Sequence, residues 1–486
     1  MPEIPATTRR VVIESISPLV DAGRFAAKRL LGETVKVEAD VFADGHDMIR
    51  ALLRFRQGNT ASWGEVPMEP LANDRFIGSF EPTEVGDWEF EVEGFVDEFE
   101  TWRHGLDKKI DADVDISMDL LIGSELVAAA ALRAPSKDAK QLERFAGDLN
   151  DERMALSERI ESALSPYLHE LMSTNSDRSM AAVASGKLTV DRPRAGFSAW
   201  YELFPRSWSP VGGRHGTLAD VEKNLDYVAS LGFDVLYLPP IHPIGTTHRK
   251  GRNNSLEPAP EDPGVPWAIG SKEGGHKAVN PELGTIEDFR SLVSAALDRG
   301  IEIALDIAFQ ASPDHPWVEQ HPEWFKHRPD GSIQYAENPP KKYQDIFPID
   351  FETTDAAGLW SELKSVFDHW IEEGVHIFRV DNPHTKAFSF WEWVIGEIRK
   401  EHPEVIFLAE AFTRPKVMNR LAKLGFTQSY TYFSWRTSRH DLITYMTDLR
   451  ETEEFFRPNF WPNTPCLLYT SPSPRDQRGS RMPSSA

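Results

Sequence analysis

The chain has 486 residues, a hydrophobic content of 40% and a formal net charge of −23. This length exceeds what one hydrophobic core usually supports, so we expect two or three domains. The negative charge argues against binding to nucleic acid or anionic lipid, and no apolar run reaches the length of a membrane span. The first ten residues lack the apolar core of a secretory signal, and the single cysteine, Cys466, excludes an intrachain disulfide. These features favour a cytoplasmic location.

Two patterns divide the first 190 residues. Residues 1–105 contain short alternating runs separated by turn residues, which predicts a small N-terminal β-sandwich domain. Residues 106–190 contain three helical patterns, at 118–132, 139–147 and 151–172, and predict a helical bundle inserted between domains. The pattern leaves open whether this bundle is a solvated spacer or a dimer contact.

Strands and helices alternate in residues 191–465. The six predicted strands are 199–204, 234–239, 302–309, 376–381, 405–411 and 428–434. Apolar residues between them recur on one helical face, as at Leu218, Val221, Leu225 and Val228. This alternation predicts an α/β fold with a parallel sheet, and we interpret it as a catalytic (β/α)8 TIM barrel that is incomplete, with about six βα units. No Gly-rich dinucleotide fingerprint follows the first strand, and we expect no cofactor.

Two of the predicted strands end in a carboxylate. Asp381 follows the apolar run 377–380, Glu410 follows the run 405–409, and parallel strands would place both acids at the same edge. Two facing carboxylates suit glycosyl transfer, in which one attacks the anomeric carbon and the other manages protons. Arg379 points to the same side of its strand as Asp381 and could hold that acid ionised. One such acid alone would be interpreted as a helix cap, but two on neighbouring strands favour catalysis.

Three stretches lie at the ends of predicted strands: 305–310, 378–381 and 407–412. They resemble the ordered regions of the α-amylase superfamily (glycoside hydrolase family 13). Four longer stretches resemble one member family, the α-1,4-glucan:maltose-1-phosphate maltosyltransferases: 248–254, 309–316, 337–343 and 380–386. The barrel motifs alone indicate the superfamily, whereas the four longer stretches together indicate the member family.

The resemblance implies a retaining glycosyltransferase of α-glucan biosynthesis. Such an enzyme moves maltosyl units from α-maltose 1-phosphate to the non-reducing end of α-1,4-glucans and releases phosphate. Asp381 would be the nucleophile and Glu410 the general acid and then base, with the carboxyls roughly 5 Å apart. The other implied substrate-binding residues are Asn338, Lys341 and Tyr343 for phosphate, and Lys250, Gln310 and Asn382 for the two glucose rings, beside Arg379. We also expect a homodimer.

Departures from the general amylase pattern bear on metals. Amylases usually carry Asn-His at the positions of Gln310 and Ala311, and the Asn often serves a calcium ion, so we expect no structural calcium. His315, His376 and His384 share no metal-ligand spacing and are interpreted as structural or substrate-facing.

Two other functions stay open. An amylase-type hydrolase would cleave glucan with water, and a non-catalytic glycan-binding member would lack one of the paired acids.

The last 21 residues, 466–486, differ from the rest of the chain. They are rich in Ser, Pro and Arg, contain no Glu or Lys, and resemble a translated vector or adaptor fragment, although a natural disordered tail is the alternative. The family motif Asn-Thr-Pro-Asp carries an Asp that steadies the transition state, and here Asn463-Thr464-Pro465 is followed by Cys466. We therefore expect residues 466–486 to be non-native and the chain as written to be truncated and inactive.

Overall fold

The computed structural model describes residues 9–58, 60, 62–251 and 255–461, and the chain divides into two compact units. Unit 1 comprises residues 1–27 and 32–189, and unit 2 comprises residues 28–31 and 190–486. The predicted domain boundaries at 105, 190 and 465 stay predictions. Residues 252–254, the motif 463–465, Cys466 and the predicted tail 466–486 lie outside the described residues.

Unit 1 contains antiparallel strands whose alternating side chains face inward and outward. In strand β3, for example, Val35, Val37, Ala39 and Val41 are buried while the residues between them are half-buried or exposed. One sheet has the strand order β1-β3-β7-β6, and β4 pairs with both β5 and β8 in another. The strands are β1 (Val12–Ser17), β2 (Ala27–Leu30, of which all but Ala27 belongs to unit 2), β3 (Val35–Phe42), β4 (Ile49–Gln57), β5 (Gly64–Pro67), β6 (Glu69–Pro70), β7 (Arg75–Phe80), β8 (Gly86–Val96) and β9 (Ala182–Asp191, whose last two residues belong to unit 2).

Five helices lie between β8 and β9. They are α1 (Glu98–Asp111), α2 (Ser117–Arg133), α3 (Ser136–Asn150), α4 (Leu156–Ala163) and α5 (Pro166–Thr174). They share one apolar core that includes Trp102, Leu120 and Leu142. The sequence pattern predicted one helix over 151–172, but the structure has two because Ser165 caps a new helix that begins at Pro166. Helix α1 was not predicted.

Unit 2 is built on a curled parallel sheet of an α/β, TIM-barrel-like fold. Its strand order follows the chain: β10 (Trp200–Glu202), β11 (Val235–Leu238), β12 (Glu302–Ile307), β17 (Ile377–Asp381), β18 (Ile406–Glu410), β19 (Gln428–Tyr430) and β20 (Pro458–Asn459). All six predicted strands are present. The seventh, β20, was missed because two residues beginning with a proline carry no strand pattern. Strands β17 and β18 are buried on both faces except at Glu410, as expected where helices cover a parallel sheet.

The remaining elements of unit 2 connect these strands. Its helices are α6 (Leu218–Glu222), α7 (Leu225–Ser230), α8 (Ile286–Leu297), α9 (Pro316–Gln320), α10 (Ala356–Glu372), α11 (Phe388–Glu401), α12 (Pro415–Lys423) and α13 (Arg439–Arg450). Four short strands follow β12: β13 (Gln310–Ala311) pairs with β16 (Phe347–Pro348), and β14 (Ala336–Asn338) pairs with β15 (Lys341–Tyr343). No helix within the described residues is long and apolar enough to cross a membrane.

Candidate active site

The two predicted catalytic acids lie side by side at the carboxyl edge of the sheet. Asp381 is the last residue of β17, Glu410 is the last residue of β18, and the two are direct register partners. Asp381 is 7% exposed. The structure thus brings together the pair of carboxyls that the sequence placed on neighbouring strands, and it does so in a setting that largely excludes water.

Arg379 joins three carboxylates beneath this edge. Its Nη1 lies 2.8 Å from Asp381 Oδ1 and 2.9 Å from Asp306 Oδ2, and its Nη2 lies 2.7 Å from Glu410 Oε1. The guanidinium is 1% exposed, so these interactions are only weakly screened. A planar fork with several donors suits this shared role better than an ammonium would. Arg379 therefore fixes the relative positions of both candidate catalytic groups.

The surroundings of Asp381 favour its charged form. Burial alone would raise the pKa of Asp381, but the positive charges of Arg379 and Lys386 outweigh burial and hold this pKa below its usual value. Asn382 Nδ2 donates a hydrogen bond to Asp381 Oδ2 at 3.1 Å and stabilises the same form. Lys386 Nζ donates to the backbone oxygen of Asp381 at 3.3 Å. An ionised Asp381 is what a nucleophilic carboxylate requires.

Glu410 has the opposite tendency. Burial raises the pKa of Glu410 to about 8, against the attraction of Arg379 and with the repulsion of Asp381 and Asp306. The contact with Arg379 does not require Glu410 to be ionised. Only Oε1 of Glu410 accepts from the guanidinium, and a protonated carboxyl keeps one oxygen that can accept in this way. The other oxygen, Oε2, is buried without a hydrogen-bond partner and is free to carry the proton. Two adjacent carboxyls with pKa values pushed apart can serve as nucleophile and acid.

Asp306 completes the cluster from the neighbouring strand β12. It is 1% exposed and accepts hydrogen bonds from the Tyr237 hydroxyl at 2.5 Å and from Trp267 Nε1 at 3.3 Å. Burial raises the pKa of Asp306 to about 7, although Arg379 opposes this effect. The same Trp267 accepts a hydrogen bond from Gln310 Nε2 on its backbone oxygen at 3.1 Å. Gln310 is therefore linked to the carboxyl cluster through one residue.

Lys250 and the β14–β15 hairpin form a second group. Lys250 is 3% exposed and donates through Nζ to Gln344 Oε1 at 2.9 Å, so it contacts the residue that follows the hairpin. Within the hairpin Asn338 pairs with Lys341; both are exposed, and Tyr343 is half-buried. Among the described residues, the structure brings neither Lys341 nor Tyr343 into hydrogen-bond contact with Asp381 or Glu410.

Comparison with known proteins decides the family. Residues 9–192 match a family model described as "Alpha-1,4-glucan:maltose-1-phosphate maltosyltransferase, domain N/S", and residues 202–361 match one described as "Alpha amylase, catalytic domain". The chain is 54% identical over 465 residues to the α-1,4-glucan:maltose-1-phosphate maltosyltransferase of Chlorobaculum tepidum, covering 95% of this chain and 69% of that protein. The chain belongs to the α-1,4-glucan:maltose-1-phosphate maltosyltransferase family.

Other relatives agree with this family. The Myxococcus xanthus α-1,4-glucan:maltose-1-phosphate maltosyltransferase is 50% identical over 468 residues, with 94% of this chain and 70% of that protein covered. Among solved structures, the chain is similar to an α-amylase from Lactobacillus plantarum at 26% identity and a TM-score of 0.43, covering 53% of this chain and 60% of that one. The relatives at about 50% identity and the match to the α-amylase catalytic domain identify the protein as an enzyme of a maltosyltransferase family within the α-amylase superfamily.

The sequence analysis of this maltosyltransferase missed several residues that surround Arg379 and its carboxylates. Tyr237 and Tyr430 are buried, and their ring centroids lie 5.9 and 5.8 Å from the Arg379 guanidinium. Glu202, at the end of β10, has an oxygen without a hydrogen-bond partner, and burial raises its pKa to about 7. Asp306 and Tyr237 each lie inside an apolar strand. A polar side chain in such a strand was the signal that could have identified them, but the sequence analysis considered only acids at strand ends.

The histidines interpreted as structural include one member of a buried hydrogen-bond chain. The Trp317 N–H donates to His315 Nδ1 at 3.0 Å, so the proton of His315 is on Nε2. That Nε2 lies 3.0 Å from His276 Nδ1, and His276 Nε2 lies 2.9 Å from the Ala308 oxygen. Each ring therefore donates once and accepts once as a neutral imidazole. Burial lowers the pKa of His315 to about 3, and lowers that of His276 well below its usual value.

One other group in the described part of the chain has ligand atoms close enough for a metal. The ligand atoms of His321, Glu323 and Asp355 lie within 4.8 Å of one another. Both Asp355 oxygens already accept hydrogen bonds, one from the Gly358 N–H in the first turn of α10, which Asp355 caps, and one from Trp324 Nε1. These contacts account for the position of Asp355 without an ion, so we assign no metal to this group.

Proposed function

We propose that the protein transfers maltosyl units from α-maltose 1-phosphate to the non-reducing end of α-1,4-glucans and releases inorganic phosphate. The observation that carries this proposal is the pairing of a carboxyl whose pKa is lowered, Asp381, with a neighbour whose pKa is raised, Glu410. Family membership supplies the donor and acceptor, because the relatives are named for that reaction.

In the first half-reaction the ionised Asp381 forms a bond to the anomeric carbon as the bond from that carbon to the phosphate oxygen breaks. Glu410 gives its proton to the departing oxygen, which leaves a β-maltosyl ester on Asp381 and an ionised Glu410. In the second half-reaction the 4-hydroxyl oxygen of the acceptor attacks the anomeric carbon while Glu410 takes the hydroxyl proton and Asp381 is released. Two inversions retain the α configuration.

Binding roles are proposed for the other residues. A phosphate leaving group needs hydrogen-bond donors and positive charge, and Asn338, Lys341 and Tyr343 supply an amide, an ammonium and a hydroxyl on one hairpin. Lys250, Gln310 and Asn382 are proposed to hold the two glucose rings, with Arg379 positioning the acids. This proposal is supported by the hydrogen bonds that link Gln310 to the cluster through Trp267, and Asn382 to Asp381.

The proposed architecture is a (β/α)8 barrel preceded by a β-sandwich and a helical insertion, with boundaries at 105, 190 and 465. We also propose that the protein is a cytoplasmic homodimer. The support for a dimer is an apolar stripe on α2: Met118 is 65% exposed, Ile122 43% and Leu132 90%. These residues lie on one helical face at intervals of four and ten residues. Exposed apolar side chains that share one helical face favour an interface over a solvated spacer.

The test is phosphate release. The chain should be assayed with α-maltose 1-phosphate and maltohexaose in two versions. One is the unsubstituted chain. In the other, the tail-replaced chain, the predicted non-native residues 466–486 are replaced by the matching and following residues of the Chlorobaculum tepidum relative. We expect phosphate release that requires both substrates and yields longer maltooligosaccharides. Starch hydrolysis without phosphate dependence would instead establish an amylase-type hydrolase, and glucan binding without turnover a non-catalytic member.

A further inference from the structure

One tryptophan differs from all the others in its exposure. The chain has 14 tryptophans, all within the described residues, and 13 of them are buried or half-buried. Trp435 alone is exposed, with 55% of its surface accessible. An exposed indole presents a large, rigid apolar face, with a polar N–H at its edge, on which a ligand ring can stack.

The position of Trp435 is tied to the candidate active site. It ends a single turn of 3-10 helix that follows β19. Its ring lies 5.5 Å from that of Phe412, between ring centroids, and Phe412 is two residues beyond Glu410. Contacts with Tyr432 and Trp461, each at 5.3 Å, hold the indole from other sides. The exposed surface of Trp435 is therefore preformed, and it adjoins the strand that carries the proposed acid.

These aromatic residues lie on one side of the carboxyl pair in the order of the sheet. Phe412, Trp435 and Trp461 follow β18, β19 and β20, whereas Gln310 and the β14–β15 hairpin follow β12. Strand β17, with Asp381, lies between β12 and β18. A chain molecule that reached Glu410 from the β19 side would pass over Trp435.

The chemistry of that surface selects among ligands. The face of a glucose ring is lined by C–H groups and stacks on an aromatic ring, while its hydroxyls stay in water. Nucleic-acid bases also stack on aromatic rings, but their phosphates would be repelled by a chain of net charge −23. The nearby Arg436 is engaged over the ring of Tyr445 at 5.0 Å. A neutral polymer of sugars is thus the ligand that fits.

We propose that Trp435 is a stacking platform for a glucose ring of the acceptor glucan, on the β19 side of Asp381 and Glu410. The inference rests on the proposed function, because it assigns Trp435 to the acceptor of that reaction. Trp435 does not touch the reacting atoms and is a binding residue. It should therefore determine the affinity for the acceptor glucan and the preferred length of that glucan, without changing the affinity for the donor.

The first test uses binding alone. Acrylamide, a neutral quencher, should reach Trp435 more readily than the 13 less exposed tryptophans. Maltoheptaose should lower the quenching constant of the full chain, whereas cellohexaose, whose β-1,4 linkages give a different shape, should not. In Trp435→Phe the maltoheptaose-sensitive part of the quenching should be absent. Quenching that maltoheptaose leaves unchanged in the unsubstituted chain would overturn the proposal.

The second test separates acceptor from donor. Trp435→Ala should raise the KM for maltohexaose at least fivefold and change the KM for α-maltose 1-phosphate less than twofold, while Trp435→Phe should stay within about twofold of the parent for both. Phe197→Ala is the matched control, because Phe197 is 82% exposed but precedes β10, whereas Trp435 follows β19, so the two residues lie at opposite ends of the parallel strands. An unchanged acceptor KM in Trp435→Ala would refute the inference.

The two tests also distinguish the inference from the proposed function. If the unsubstituted chain and its tail-replaced version release no phosphate with any acceptor, the proposed function fails, while protection from acrylamide still decides whether Trp435 binds glucan. If Trp435→Ala does not fold, judged by a lost cooperative melting transition, the Trp435→Phe quenching result decides in its place.

Discussion

Asp381 and Glu410 are register partners at the ends of adjacent parallel strands, yet the pKa of Asp381 is lowered and that of Glu410 is raised. The difference arises from their contacts. Asp381 receives hydrogen bonds on both oxygens, from Arg379 and Asn382, whereas Glu410 keeps one buried oxygen without a partner. Proximity raises the cost of ionising both acids, so the proton stays on the less well solvated one.

The pH dependence of maltosyl-enzyme formation should follow from this division. Since Asp381 must be ionised and Glu410 protonated, the rate of phosphate release in a single turnover should be constant near neutral pH. It should fall as the pH rises through about 8, where Glu410 loses its proton. In Glu410→Gln the rate should be lower and this alkaline decline should vanish. A decline with the same midpoint in both proteins would assign the titration to another group.

The covalent intermediate should form on Asp381. With a fluorinated maltosyl donor that slows the second half-reaction, the tail-replaced chain should gain the mass of one maltosyl group, and peptide mass spectrometry should locate it on Asp381. Asp381→Asn should gain no mass, while Glu410→Ala should retain donor binding and fail at transfer to the acceptor. A label on any other carboxyl would contradict the assigned roles.

Lys341 and Lys342 offer a matched pair for testing phosphate recognition. Adjacent residues of a strand point to opposite faces, so only one of these side chains can face the donor. Lys341→Ala should weaken transition-state binding of α-maltose 1-phosphate by about 1.5–3 kcal/mol, the worth of a hydrogen bond to a charged group, measured as kcat/KM. Lys342→Ala should have little effect. Equal losses would indicate general attraction by positive charge.

The buried histidine chain should make unit 2 acid-sensitive. Burial lowers the pKa of His315, a member of this chain, to about 3, from an unfolded value of about 6.5. Burial also lowers the pKa of His242, a separate histidine whose Nδ1 lies 3.1 Å from the Ala278 oxygen, to about 4. The unfolded chain therefore binds more protons below pH 6.5, and stability present above that pH is lost as the pH falls toward these values. Each such histidine contributes a slope of up to about 1.4 kcal/mol per pH unit.

Thermal or urea unfolding between pH 7 and 5 measures this slope. His276 belongs to the same chain, so His276→Gln should be less stable at pH 7 but should lose less stability on acidification. Unfolding free energies with the same pH slope in the variant and the parent would show that His276 titrates normally.

The apolar stripe of α2 should hold two copies together. A glutamate at position 132 places charge on a side chain that is 90% exposed, so Leu132→Glu should leave the monomer fold intact and shift the mass measured by light scattering from dimer to monomer. Lys137→Glu, at an exposed position of α3, is the control for added negative charge. A monomeric parent chain would support the solvated spacer instead.

The sequence predicted the sheet well because most of its strands are apolar runs with the length and flanks of a buried strand, as at 376–381 and 405–411. It failed where local signals conflict with packing. A continuous apolar period over 151–172 hid the break before Pro166, and β20 has too few residues to show any period. Strand-terminal acids identified Asp381 and Glu410. Asp306 could not be recognised as the ion-pair partner of Arg379, because that contact depends on side chains meeting across the sheet. The electrostatic influence of Arg379 on Glu202 could not be recognised for the same reason.

Arg379 has a consequence for how this site can change. One guanidinium pairs with Asp306, Asp381 and Glu410, so replacing any one carboxyl alters the field and the hydrogen bonding of the other two. Double-mutant cycles among these three acids should give large coupling energies, and single replacements would overstate what each contributes. Substitutions here are therefore epistatic: a change tolerated at Asp306 depends on what occupies the other two positions, and the cluster is expected to evolve as one unit.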